Sequence, residues 1–381
     1  MTLAETQRRV LPRIGRVNLA PTLLFYVGRT FLARFLVLFA GICAIVLLIT
    51  TVDQLDQLAS AKGTSVLTAF LMALLKLPQL AQEIMAFAVL FTGMATLWRL
   101  TRTNELVVAR AAGVSVWQML APVVLISVLI GVVTTTVLNP VSSVMLRRFE
   151  QLQARYTGDT GSTLSVSETG LWLRQANENG RAVIHARRVR QSDMTLFDVI
   201  VFRFDNASTF TGRIDATRAQ LDDGRWVLSE ALVTEPGGEG ARREARVSVP
   251  TELTADKIYQ SFAPPETISF WRLPEFVQLL ENAGFAADAH RLQFHRLLAK
   301  PLLFAGMVLL AAVFSLRQHR RGGVAVTITL GVLTGFAVFV LSNLVFAFGL
   351  SATLPVPIAA WTPSLIIVML GAASLLHLED G

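Results

Sequence analysis

The chain has 381 residues, of which 53% are hydrophobic and 16% charged, a balance too apolar for a soluble protein of this length. The net charge of +7 requires no nucleic-acid partner, because in membrane proteins the placing of basic residues reports orientation. The one cysteine, Cys43, lies in an apolar stretch, so disulfides are excluded and a structural, buried thiol is expected.

Arg8, Arg9, Arg13 and Arg16 precede a long apolar run with no obvious small-residue cleavage site, so residues 1–30 read as a cytoplasmic arm before a retained first span. No charge occurs from Phe35 to Val52, close to the roughly 20 residues that cross about 30 Å of hydrocarbon, and Arg34 just before it is expected to snorkel. After Asp53, Asp56 and Lys62 comes an apolar stretch broken by Leu77-Pro78 and Glu83. It divides into an interfacial helix over about 65 to 77 and a second span over about 78 to 98. Ala111 to Leu146 carries no charge but contains Pro122 and Pro140, which predicts a short helix over about 103 to 117 and a third span over about 118 to 140.

After Arg147 charged residues, glycines and alternating apolar residues take over. Leu171-Trp172-Leu173, Val183-Ile184-His185, Val199-Ile200-Val201-Phe202 and Trp226-Val227-Leu228 have the period of strands, and Asn179-Gly180 and Asp223-Gly224 mark hairpin turns. A separate antiparallel β-sandwich or jellyroll over 141–265 is expected. A helical linker follows over 266–296, with Pro274 suited to a first turn and Gly284 to a helix end. Spans four to six then fall over about 297 to 316, 324 to 349 and 356 to 376, with Lys300 snorkelling and a short tail at 377–381.

Arginine crowds the N-terminal arm, the 99–110 loop and the 317–321 loop, whereas the alternate loops hold only Lys62. Both termini are therefore expected inside and the β domain outside, giving an α-helical polytopic membrane protein with six transmembrane helices and an inserted periplasmic antiparallel β-jellyroll. No phosphate-binding loop, nucleophile elbow or His-Glu-x-x-His motif is present, so the chain is expected to be no enzyme. His290 and His295 are five apart, off one helix face, which argues against a metal site.

The most informative short stretch is Thr103-Asn104-Glu105-Leu106-Val107-Val108-Ala109-Arg110-Ala111-Ala112-Gly113. It reads as a cytoplasmic helix with an acid suited to its dipole and a glycine to end it. It resembles the coupling helix of the lipopolysaccharide export permeases, the LptF/LptG family. Further pieces resemble that family in order: Val52-Asp53-Gln54-Leu55, Gly170-Leu171-Trp172, Arg291-Leu292-Gln293 with Pro301-Leu302, and Leu354-Pro355-Val356-Pro357, closer to its LptG branch than to LptF.

The resemblance implies an ABC-type exporter that extracts lipopolysaccharide from the inner membrane, with an LptF partner, an LptB ATPase dimer that alone binds ATP, and LptC. It implies ATPase contacts from Glu105, Arg110, Asn104 and Leu106, and no cofactor on this chain. Where related proteins often carry lysine near the end of span one, this chain has Thr50, Asp56 and Gln57. Lys62, Arg147, Arg148 and Arg155 are therefore expected to meet the lipopolysaccharide phosphates, although basic residues there also serve as membrane-edge anchors. The competing reading is a permease that relays ATPase motion to a periplasmic partner without transporting lipid.

Overall fold

In the computed structural model, the described residues are 21–58, 65–157, 163–167, 170–177, 180–190, 194–205, 209–222, 224–236, 240–251, 264–316, 324–351 and 353–380. The arginine-rich arm over 1–20, Lys62 and the 317–323 loop lie outside them.

Helices α1 (Pro21–Leu58) and α2 (Val66–Arg102) are antiparallel neighbours. The 37 residues of α2 reach about 55 Å at 1.5 Å per residue, well beyond one bilayer crossing. Pro78 lies inside α2 and does not divide it, which corrects the expected split at 77–78. Proline removes a single backbone donor, and the helix on both sides of it is packed through Met72 and Ala73 before it and Ala81 and Met85 after it.

The expected helix over 103–117 is two. α3 (Glu105–Ala111) ends before Gly113, whose φ of +85° suits a residue without Cβ, and α4 (Val116–Val133) begins at Ser115, which forms a capping box with Gln118. α4 continues through a π-helical turn (Thr134–Leu138) into α5 (Asn139–Thr157), so the third rod does not stop at 140 as expected. The π-turn ends immediately before Asn139-Pro140, where a wider turn carries backbone carbonyls clear of the proline ring.

The β domain accordingly starts at Thr163 and not near 141. Its strands are β1 (Thr163–Ser167), β2 (Gly170–Asn177), β3 (Gly180–Arg190), β4 (Thr195–Phe204), β5 (Phe210–Asp222), β6 (Arg225–Thr234) and β7 (Arg242–Pro250). All pair antiparallel in chain order, an up-and-down connectivity simpler than the Greek keys of a jellyroll. The period-two pattern puts Leu171, Leu173, Ile184, Val201, Ile214, Trp226 and Leu228 on one buried face, while Trp172 packs tilted against His185 on the other.

Helix α6 (Leu273–Asn282) covers the buried face with Val277 and Leu280, helped by Phe285. Gly284 follows α6 at φ +89°, and a Cβ there would collide with the carbonyl oxygen of Val189, so glycine is required both by backbone and by space. The chain then enters α7 (Asp288–Leu316), earlier than the expected start at 297, followed by α8 (Val324–Leu350) and α9 (Val356–Asp380).

Among the described residues, six helices are long and apolar enough to cross a membrane. Small residues let them approach closely: Gly93 faces Ala311, Gly131 faces Pro301, and Gly306 faces Ile367. In α2 and α7 61% of the apolar window is buried, against 11% in α1 and 17% in α8, so α1 and α8 flank the bundle with largely unpartnered apolar faces. Cys43 sits on α1 and is only half-buried, not the enclosed thiol expected.

Candidate functional site

Three features stand out, one at each end of the bundle and one within it. The first is α3, at the end opposite the β domain. Asn104 adopts the left-handed conformation, φ +58°, which asparagine tolerates, and turns the chain out of α2. Glu105 accepts a hydrogen bond from the Thr103 hydroxyl at 2.8 Å, so its carboxylate is oriented in the first turn of α3. Leu106 is buried and joins the bundle core that includes Leu97, Leu100 and Met119. Val107 and Val108 are 49% and 68% exposed, and Asn104 and Arg110 are exposed beside them. Three of the four expected coupling residues thus fall on one short helix and Asn104 caps it; the helix is anchored to the bundle by one buried leucine and presents two valines and an arginine outward. Such a ridge suits the groove of a partner protein.

Arg34 of α1 reaches the same end. It does not simply snorkel: its guanidinium donates to the carbonyl oxygen of Ala95 in α2 at 2.9 Å, tying the two helices together.

The second feature is a basic rim near the β domain. Arg147, Arg148 and Arg155 are exposed on α5, and Arg148 and Arg155 share a face at seven-residue spacing. Arg147 is already engaged, donating to the carbonyl oxygen of Thr267 at 2.9 Å. Lys62 lies outside the described residues. Lys76, which the sequence reading left unassigned, stands over the ring of Phe149 at 5.4 Å and adds a cation at the same level. Its signal in sequence was only its place beside Leu77-Pro78.

The third feature is a cavity of about 290 Å³ among α2, α7, α8 and α9. Its polar wall combines Gln79, Gln82 and Glu83 of α2 with Gln293, Arg296 and Lys300 of α7, each row at helical spacing. Lys300 does not snorkel as expected; it donates to Oε1 of Gln82 at 3.3 Å. Arg296 stacks over the ring of Phe346 at 4.5 Å. His295 instead faces Trp361, whose Nε1 lies 3.5 Å from Nδ1 of His295, and His290 packs on Phe276. Nothing in this arrangement pairs a nucleophile with a base; it offers surfaces for docking and for amphiphiles.

The chain matches the family described as lipopolysaccharide export system permease LptF/LptG over residues 25–377. It is 26% identical over 351 residues to lipopolysaccharide export system permease protein LptG of Escherichia coli K12, covering 89% of this chain and 93% of that one. To the LptG protein of Haemophilus influenzae it is 24% identical, covering 91% and 95%. With the six spans, the inserted antiparallel sheet and the protruding α3 in place, the match over nearly the whole chain is decisive: this chain belongs to the LptF/LptG family of lipopolysaccharide export permeases.

Proposed function

We propose that the chain is the LptG-type permease subunit of an ABC exporter that extracts lipopolysaccharide from the inner membrane and passes it to a periplasmic bridge. The single observation that carries this reading is the family match across residues 25–377, which includes both α3 and the β domain. The positive-inside pattern of the sequence supports a cytoplasmic setting for the termini and α3 and a periplasmic one for the sheet. Energy then enters at α3, where Glu105, Leu106, Asn104 and Arg110 meet an LptB ATPase dimer that holds the ATP. The long, continuous rods move as stiff pieces and transmit that motion. LptF completes the transmembrane cavity against the open faces of α1 and α8, and LptC contributes its own β domain. Arg148 and Arg155, with Lys62, supply the phosphate contacts of lipopolysaccharide, since charge-assisted bonds from guanidinium to phosphate are the strong ones. Arg147 contributes less because Thr267 already holds it. The chain itself performs no covalent chemistry and needs no cofactor.

A permease that relays motion without carrying lipid shares this architecture and differs only in lipid contact. A photo-reactive residue at position 148 or 155 in the assembled complex separates the two. Labelling by lipopolysaccharide is expected; clean assembly with no lipid labelled at either position would favour the relay.

A further inference from the structure

α2 and α8 touch in one half of the bundle and enclose a space in the other. A Cβ added to Gly335 of α8 would sit 2.7 Å from a methyl of Leu90, and one turn on Phe339 meets Phe87 with ring centroids 5.5 Å apart. Beyond that contact, toward the β domain, lies the 290 Å³ cavity, apolar where Phe87 and Phe339 floor it and polar above. Lys300 is about 24 Å along α7 from Leu316, which puts the polar part near the edge of a hydrocarbon layer about 30 Å thick. On the orientation proposed above, that edge is the outer headgroup level, and the inference rests on that reading.

The charges there balance. Arg296 and Lys300, one turn apart on α7, share the cavity with Glu83 and Glu266, both of which act on Arg296 electrostatically. Among the described residues none of the four is in an ion pair. Among the described residues, no donor reaches the buried side-chain oxygens of Gln79 and Gln293, and Gln293 is only 8% exposed. Buried polar atoms of this kind are costly unless a ligand satisfies them. One cavity thus offers two cations and, beside them, carboxylates and amide oxygens lacking donors.

We infer that this cavity binds the headgroup of a zwitterionic phospholipid, with its phosphate on Arg296 and Lys300 and its primary ammonium on Glu83 and the oxygens of Gln79 and Gln293. The acyl chains lie along Val340 and Leu344 of α8, both exposed in the isolated chain. A purely anionic headgroup matches only half of the site, because it leaves Glu83 and the two amide oxygens facing negative charge or nothing. The phosphate of lipopolysaccharide falls under the same objection.

The test is native mass spectrometry of the complete export complex released from nanodiscs of phosphatidylethanolamine and phosphatidylglycerol. One phosphatidylethanolamine is expected to stay with each copy of this chain. Arg296→Gln combined with Lys300→Met, and separately the near-isosteric Glu83→Gln, should each lower its retention at least about tenfold, while Arg242→Gln on the exposed β7 should not. If the double variant fails to assemble, Glu83→Gln alone carries the result. Equal retention of phosphatidylglycerol, unchanged retention in Glu83→Gln, absence of any bound lipid, or one-for-one displacement by lipopolysaccharide would each overturn the inference. Absence of the lipid from the unsubstituted complex with ATP-driven lipopolysaccharide release intact removes this inference alone; a retained lipid in a complex that never releases lipopolysaccharide removes the export reading alone.

Discussion

The hydroxyl of Thr135 donates to the carbonyl oxygen of Leu297 at 2.9 Å, linking α7 to the π-turn between α4 and α5. That carbonyl needs an outside donor because the residue four positions on is Pro301, which has no N–H to give it. The same solution recurs one residue later. Pro140 cannot serve the carbonyl of Thr136, and Nε1 of Trp271 donates to it at 3.1 Å.

Thr135→Val should therefore leave a buried carbonyl unpaired and destabilise the bundle by about 1–3 kcal/mol, while Thr135→Ser should cost much less. In a Pro301→Ala background, where the helix supplies its own donor, the cost of Thr135→Val should shrink. Denaturant unfolding in detergent of the four proteins of this cycle checks it; equal costs in both backgrounds would refute the link.

Trp271→Phe removes the other outside donor, yet Trp271 is 64% exposed near the bundle edge, where water can replace it. The expected loss is below about 1 kcal/mol, smaller than that of Thr135→Val in the same unfolding assay. The opposite ranking would show that exposure does not govern the cost.

Gly131 faces Pro301 so closely that a Cβ built on it would lie 2.5 Å from the proline Cα. The obstacle is backbone and cannot swing aside. Gly131→Val should force α4 and α7 apart and lower stability by about 1–3 kcal/mol or more, read as a fall in the thermal midpoint of the detergent-solubilised protein.

The span count, the inserted sheet and its period-two face were legible because apolar length and alternation are local properties. So were the glycines at 113 and 284, whose positive φ follows from ending a helix. The helix breaks expected at Pro78 and Pro140 do not form, for two reasons: neighbouring packing sustains the helix past Pro78, and a side chain 135 residues away serves the carbonyl that Pro140 abandons. Of the candidate site, the short helix α3 was readable as one local motif. The cavity was not, since Gln79, Gln82 and Glu83 align with Arg296 and Lys300 only after α2 packs on α7, and Lys300 in isolation looks like any lysine at a span end.

At the other end of the bundle, Glu105→Lys should reverse the charge in the first turn of α3 without touching the core, so the protein should accumulate normally but co-purify poorly with LptB. Leu106→Ala should act differently. It removes a side chain only 7% exposed and should cost about 2–5 kcal/mol of stability, lowering membrane levels of the chain itself. Immunoblots of membranes alongside LptB pull-downs separate these outcomes; normal LptB recovery with Glu105→Lys would remove the coupling role.

The most direct measurement is ATP-dependent release of lipopolysaccharide from proteoliposomes containing this chain with LptF, LptB and LptC to a soluble periplasmic acceptor. Release that requires ATP and is lost with Glu105→Lys is expected. A complex that hydrolyses ATP at a normal rate yet releases no more lipopolysaccharide than its ATP-free control would contradict the export function.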